Sequence, residues 1–202
     1  MDSQITGKEL KQIENGINQK YAKVATSPEG HFKYPTGRKG LEVLNYDNAL
    51  IEKLPAEVVS SYCGVGNPFS LGPVNPGEQV LDIGCGAGVD TILAAMMVGP
   101  QGSVTVVDIV REMIEKAESN LELMDLDNVT FKQLPGENLP FANNTFDVVL
   151  SNGAINLIPD KEAAMSEILR VLKPSGRLML ADQIAKGSIQ KNIKVRLANW
   201  FQ

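Results

Sequence analysis

The stretch VLDIGCGAGVD at residues 80–90 constrains the fold more than any other part of the sequence. Apolar residues bracketing Asp82 describe a strand buried on both faces, the habit of parallel sheets. Three glycines follow at alternate positions, Gly84, Gly86 and Gly88, and then an apolar stretch suited to a helix. A chain that leaves a buried strand through such glycines brings its backbone close to a ligand. Downstream, residues 103–108, 129–134, 146–152 and 177–182 read as further strands, and 88–98, 110–124 and 160–172 as helices between them. This alternation predicts an α/β fold, a doubly wound and mainly parallel sheet with right-handed crossovers.

The N-terminal third has a different rhythm. Thr6 and Glu9 stand at capping-box spacing, and Leu10, Ile13, Ile17, Tyr21 and Val24 then recur on one helical face, so 6–25 reads as an amphipathic helix. Residues 26–40 are rich in Pro and Gly and too long for a plain connector. Phe32, Tyr34 and Arg38 in that loop are unlike a passive linker and point to a lid, with a surface strap packed permanently on the domain as the equal alternative. Short helices are expected over 47–53 and from Pro55 to Tyr62, with 63–78 irregular. We expect a helical and lid extension over 1–75 and a ligand-binding domain over 76–202. The segment after Asp182 reads as helical, with Val195, Leu197, Trp200 and Phe201 apolar.

Composition narrows the function. A net charge of −5 without a Lys/Arg cluster argues against long nucleic acids as partners. No apolar run approaches the length of a membrane span, and the polar N-terminus is no secretory signal. Two cysteines, Cys63 and Cys85, are too few for a disulfide framework or a zinc cluster, so a cytoplasmic setting and no metal are expected. The single histidine, His31, weakens any Ser-His-Asp reading. It is a candidate general base, but an exposed loop histidine is the commoner outcome.

The glycine loop gains meaning from Asp108, which ends the second strand 20 residues after Gly88. A carboxylate there can accept from both hydroxyls of a ribose. The spacing is G-x-G-x-G, with Val89 where a dinucleotide fingerprint would continue, which weakens the pyrophosphate reading. Asp82 repels a diphosphate but suits a ligand carrying an ammonium and a sulfonium. A nicotinamide dehydrogenase therefore stands behind a methyl-donor reading.

The stretches VLDIGCGAG, VVD, ENLPFANNTFDVVLSN and EILRVLKPSGRLMLAD resemble the successive motifs of class I SAM-dependent methyltransferases, over roughly 79–182. CGVGNPFSLGPVNPGEQVLDIG and SNGAINLIPDKEA are further similar to the arsenite methyltransferase group, whose members carry G-C-G-N-P before the first strand and S-N-C-V-I-N-L after the fourth. The resemblance implies a Rossmann-like fold, S-adenosylmethionine as cofactor and a small-molecule methyl acceptor. The family adds a hairpin after the fifth strand, where this sequence has only twenty residues after Asp182, so either the sequence is a fragment or its C-terminus is shortened; the uncovered edge then invites pairing, as a homodimer or with a missing segment. Val65 and Gly153 occupy the two cysteine positions. Trivalent arsenic is soft and wants about three sulfur ligands, so the arsenic half of the family is not expected to carry over. A quinone or lipid-like acceptor, or a non-catalytic SAM or S-adenosylhomocysteine binder, are the alternatives.

By resemblance, Gly84, Cys85, Gly86 and Gly88 form the cofactor loop, Asp82 helps hold the ammonium and Asp108 takes the ribose. Cys85 itself is expected to pack as a small apolar residue. Ile109 and Met113 would pack on the adenine, with ordinary helix core as the equal alternative. Relatives often place an acid just before E-N-L-P; here Pro135 and Gly136 stand there, leaving the Gly136 or Glu137 backbone, or the Glu137 side chain, to meet the adenine edge. Asn152 is expected where the methyl leaves, with a strand-end cap as the alternative. Asn156 has a weaker claim. Gly66 and Asn67 would wrap the cofactor carboxylate, and Tyr21 would close the site. No catalytic residue is assigned, because an activated sulfonium needs in-line positioning more than acid–base help.

Overall fold

A computed structural model describes residues 5–184. Five strands, β1 (Gln79–Ile83), β2 (Ser103–Asp108), β3 (Val129–Gln133), β4 (Phe146–Asn152) and β5 (Leu172–Ala181), form one sheet in the order β3-β2-β1-β4-β5. All four pairings are parallel, which gives the expected fold class. The chain works outward from β1 to β3 and then returns to the other side of β1 with β4. The strand order therefore reverses between β1 and β4, where ligands of such sheets bind.

Helices α5 (Val89–Val98), α6 (Arg111–Glu122) and α7 (Lys161–Val171) connect the strands. The apolar residues of β1 and β4 are buried, and Leu81, Ile83, Val149 and Ile168 share one cluster. Val80, Val104, Val106 and Val148 fill the other side of the sheet with Ala94, Ala95 and Val98 of α5. Strand β5 begins five residues earlier than the sequence suggests, at Leu172, with a register irregularity between Phe146 and Val148. Ser175 sits at φ 68°, which lets the Pro174–Gly176 turn signal lie inside the strand.

Four short or long helices precede the sheet: α1 (Gly7–Thr26), α2 (Gly37–Val43), α3 (Asn48–Ile51) and α4 (Ala56–Ser60). The capping box forms as read: Glu9 N–H donates to Thr6 Oγ1, and Thr6 N–H donates to Glu9 Oε2 at 2.8 Å. Ile13, Ile17 and Val24 of α1 are buried against Val110 and Met113. Helix α2 corrects the sequence reading, which left 37–40 in the loop. Its glycines disfavour a helix intrinsically. Close packing decides instead: a Cβ on Gly40 would stand 2.7 Å from Pro35 O, so only glycine allows this approach. Leu41, Tyr46, Ile51, Val58 and Tyr62 then join Val89, Ile92 and Leu93 of α5 in a core cluster. The expected helix after Asp182 lies outside the described residues.

Candidate functional site

A cleft opens at the C-terminal ends of β1, β2 and β4, with about 1160 Å³ of empty space out to its mouth. β1 delivers Asp82, and the loop behind it delivers Gly84, Cys85 and Gly86; β2 delivers Asp108, and Ile109 and Met113 follow. The 134–137 turn brings Gly136 and Glu137, and β4 brings Asn152. Gly88, the last glycine of the expected cofactor loop, is elsewhere. It has φ 82°, and a Cβ there would meet Ala117 Cβ at 2.8 Å, so it seats the start of α5 against α6.

The glycine loop is a cradle no side chain can fill. Gly84 has φ 74° and lies so close to Ala154 that a Cβ would come within 2.2 Å of the Ala154 methyl. Gly86 has φ 53° and turns its N–H to Asp108 Oδ2 at 3.2 Å. Val110 N–H donates to the other Asp108 oxygen at 2.9 Å. The carboxylate thus ties the loop to the start of α6 and holds its own orientation. Met113, 1 % exposed, packs with α1 as core while touching the cleft.

Asp82 is 2 % exposed between Leu81 and Ile83, and its Oδ2 accepts from Thr91 Oγ1 at 2.5 Å. A second buried acid was missed in the sequence: Asp90, in the first turn of α5, accepts from Tyr46 OH at 2.7 Å and from Asn152 Nδ2 at 2.8 Å. The signal was the acid directly after GCGAGV, which reads equally well as an ordinary first-turn acid of a helix. Withdrawal from water raises all three carboxyls, Asp82 to about 7 and Asp90 and Asp108 to about 6. Five acidic side chains reach the cleft, Glu14 and Glu137 with the three aspartates, and no Lys, Arg or His among the described residues lines it.

Asn152 lines the cleft and also serves the strand-end role. Its Oδ1 accepts from the Val65 and Gly66 amides at 2.9 and 3.1 Å, and its Nδ2 donates to Gly66 O and Asp90. It fastens the 64–66 backbone over the end of β4. Gly66 and Asn67 are correspondingly committed: Gly66 O also accepts from Tyr46 and Tyr62, and Asn67 caps the Pro68–Leu71 turn through Phe69 N–H. Neither lines the cleft, whereas Gly64 and Tyr62 do. Asn156 donates its N–H to Asp182 and is also away from the cleft.

Helix α1 closes one side with Ile13, Ile17 and Tyr21, and Tyr34 joins them from the strap after it. Tyr34 OH donates to Cys63 O at 3.0 Å. Phe32 stacks between Tyr21 and Tyr34 at centroid distances of 6.4 and 5.0 Å. His31 is exposed on this strap and outside the cleft. Burial pushes the Cys63 thiol up to about 12 and raises Cys85 as well, so neither supplies a ready thiolate. The two positions where relatives of the arsenite group carry cysteine touch each other: a Cβ on Gly153, at φ 72°, would lie 3.1 Å from Val65 Cγ1. A valine has filled the space of the missing side chain.

Residues 74–200 match the family model described as a methyltransferase domain. An arsenite methyltransferase of Halobacterium salinarum is 32% identical over 208 residues, covering 96% of this chain and 53% of its own length. The ubiquinone/menaquinone biosynthesis C-methyltransferase UbiE of Ectopseudomonas mendocina is 41% identical over 115 residues, 56% of this chain and 45% of that protein. Among solved structures, an arsenic(III) S-adenosylmethionine methyltransferase from Chlamydomonas reinhardtii aligns with TM-score 0.53 and 34% identity, over 72% of this chain and 48% of that one. The chain spans about half the length of the curated relatives it matches. A parallel sheet that reverses at β1, a glycine cradle at that reversal and a family match over most of the same residues agree, and the chain belongs to the methyltransferase domain family, in its class I, S-adenosylmethionine-dependent branch.

Proposed function

We propose that this chain transfers the methyl group of S-adenosylmethionine to a small-molecule acceptor other than arsenite. The observation that carries the donor half is the glycine cradle set among three buried carboxylates without a basic side chain in the cleft. The donor set fits this cofactor: Asp82 suits a cationic amino-acid end, Asp108 a ribose, and the 135–137 backbone with Glu137 an adenine edge. When bound, the cofactor supplies an activated methyl group. The protein's part is to hold it, with Ile109 and Met113 offering apolar surface and α1 shutting out water. No side chain is assigned a proton-transfer role.

The acceptor half rests on Val65 against Gly153. Two thiol positions are gone, the Cys63 and Cys85 thiols are both held well above the thiolate range, and the described residues offer no third sulfur for a three-sulfur arsenic site. With purified protein and methyl-labelled S-adenosylmethionine, we expect label in an organic metabolite pool containing quinols and other small acceptors, and none in arsenite. Methylated arsenic that disappears in Cys63→Ser overturns the acceptor half. Tight cofactor binding with no turnover on any acceptor would favour a non-catalytic binder instead.

Residues 1–75 are, in this proposal, a cap on the cofactor domain of 76–202 rather than an independent unit. Clusters shared between α1 and α6, and between α4 and α5, support that division. The strap between α1 and α2 then works as a lid. Tryptic cleavage after Lys33 should slow several-fold when S-adenosylhomocysteine is added; equal rates with and without it would leave the strap a fixed surface element. Among the described residues β5 pairs only with β4, and no helix is long and apolar enough to cross a membrane. A homodimer, a cytoplasmic setting and the absence of a nucleic-acid partner belong to the proposal on the strength of that edge, the free cysteines and the net charge of −5.

A further inference from the structure

We propose that Asp82, Asp90 and Asp108 act together as a charge filter, by which the cleft prefers the sulfonium methyl donor to its neutral-sulfur product and loses that preference in acid. This deepens the proposed function and rests on the cleft binding S-adenosylmethionine.

The three carboxylates come from different elements, β1, α5 and β2, yet share one cleft and are all 9 % exposed or less. Each is satisfied only by neutral donors: Thr91 Oγ1 on Asp82, Tyr46 OH and Asn152 Nδ2 on Asp90, and the Gly86 and Val110 amides on Asp108. None has an ion-pair partner among the described residues. A fold that buries three acids in hydrogen bonds but supplies no cation leaves the positive charge to a ligand.

The surroundings do not supply it either. The 62–63 segment faces the cluster with Tyr62 and Cys63, the glycine loop with Cys85, and the turn after α2 with Tyr46. From α1 come Tyr21 and the acidic Glu14, from the strap Tyr34, and from beyond β3 the acidic Glu137. Asp182, after β5, adds negative charge at Tyr21. Among the described residues, Lys20 of α1 is felt at Cys63 and holds its ammonium 4.7 Å from the Phe32 ring centre, and Lys161 is felt at Asp182.

S-adenosylmethionine carries an ammonium, a sulfonium and a carboxylate, net +1; the product keeps the first and last and is net neutral. Contacts to adenine, ribose and the amino-acid end are common to both ligands, so the affinity ratio isolates the sulfonium charge. Below the titration of Asp82 and the other two acids, near 7 and 6, the carboxyls carry protons and give that charge no attraction; above it they are ionised. The ratio therefore rises with pH.

Calorimetry on the full chain between pH of about 5.5 and 8, with S-adenosylmethionine, S-adenosylhomocysteine and the cationic analogue sinefungin, tests this. We expect the donor-to-product affinity ratio to grow roughly fivefold or more over that window, with sinefungin following the donor. In Asp90→Asn the amide can still accept from Asn152 and donate to Tyr46, so the fold is kept. The donor-to-product ratio at the upper pH should fall several-fold. A flat ratio with both ligands bound overturns the charge filter. An unchanged ratio and slope in Asp90→Asn removes Asp90 from it. If Asp90→Asn fails to fold, Thr91→Val takes its place: loss of the hydroxyl bond to Asp82 should move the rise to higher pH, and an unmoved rise counts against Asp82. Failure of every one of the three ligands to bind would instead defeat the proposed function.

Discussion

Asp108→Ala is expected to weaken S-adenosylhomocysteine binding by about 10- to 150-fold, the equivalent of roughly 1.5–3 kcal/mol for a charge-assisted pair of hydrogen bonds. The geometry puts the effect toward the upper end. The same carboxylate receives the amides of Gly86 and Val110, so its loss also releases the glycine loop from the start of α6. One contribution runs the other way. Asp108 is among the charges that raise Asp82, and removing it leaves Asp82 more fully ionised and more attractive to a ligand ammonium. That gain acts through space and is the smallest of the influences on Asp82, so it is outweighed by the two direct bonds lost. Calorimetry reads the affinity, and a thermal melt separates loop loosening from global unfolding. Unchanged affinity in a folded variant would remove Asp108 from the ribose role.

The parts of this site that sequence made legible are those whose logic is local. The capping box of α1 needs only Thr6 and Glu9, three residues apart, and it formed as read. The strand–glycine–helix run from Val80 to Val98 carries its own turn chemistry, and Asp108 follows from the end of the next strand. What sequence hid depends on partners distant in the chain. Asn152 ends β4 and lines the cleft, but nothing local shows that its side-chain carbonyl also serves the Val65 amide, 87 residues away. Gly66 and Asn67 looked free to wrap a ligand, but Tyr46, Tyr62 and Asn152 had already taken the Gly66 backbone. Helix α2 was invisible for the same reason, since its glycines are chosen for contact with Pro35 and Ser60 and not for helix propensity. Gly88 belonged to the motif by spacing and to the α5–α6 contact by geometry. Asp90 shows the converse: an acid at a helix start has so ordinary an explanation that only the Tyr46 and Asn152 contacts set it apart.

The largest stability effect should come from Gly84→Ala. Two costs add. At φ 74° a side chain occupies the left-handed region, for about 1–2 kcal/mol. The new methyl would also stand 2.2 Å from Ala154 Cβ, a separation that forces the β1 end or the 152–157 turn to move; overpacking of this kind costs about 1–3 kcal/mol. Together they take roughly 2–5 kcal/mol from a domain whose whole stability is about 5–15 kcal/mol. For a chain of this length that lowers Tm by roughly 4–20 °C. The two costs can be told apart. Ala154→Gly removes the colliding methyl but leaves φ at residue 84 untouched. The double variant should recover the collision and keep the backbone strain, with a coupling of at least about 1 kcal/mol between the sites. Binding should not recover to the same extent, because the backbone strain that remains at residue 84, φ 74° in the parent, still disturbs the cradle that S-adenosylhomocysteine would enter. A Gly84→Ala melt within about 0.5 kcal/mol of the parent, or strictly additive single and double variants, would show that the loop is slack where the structure draws it tight.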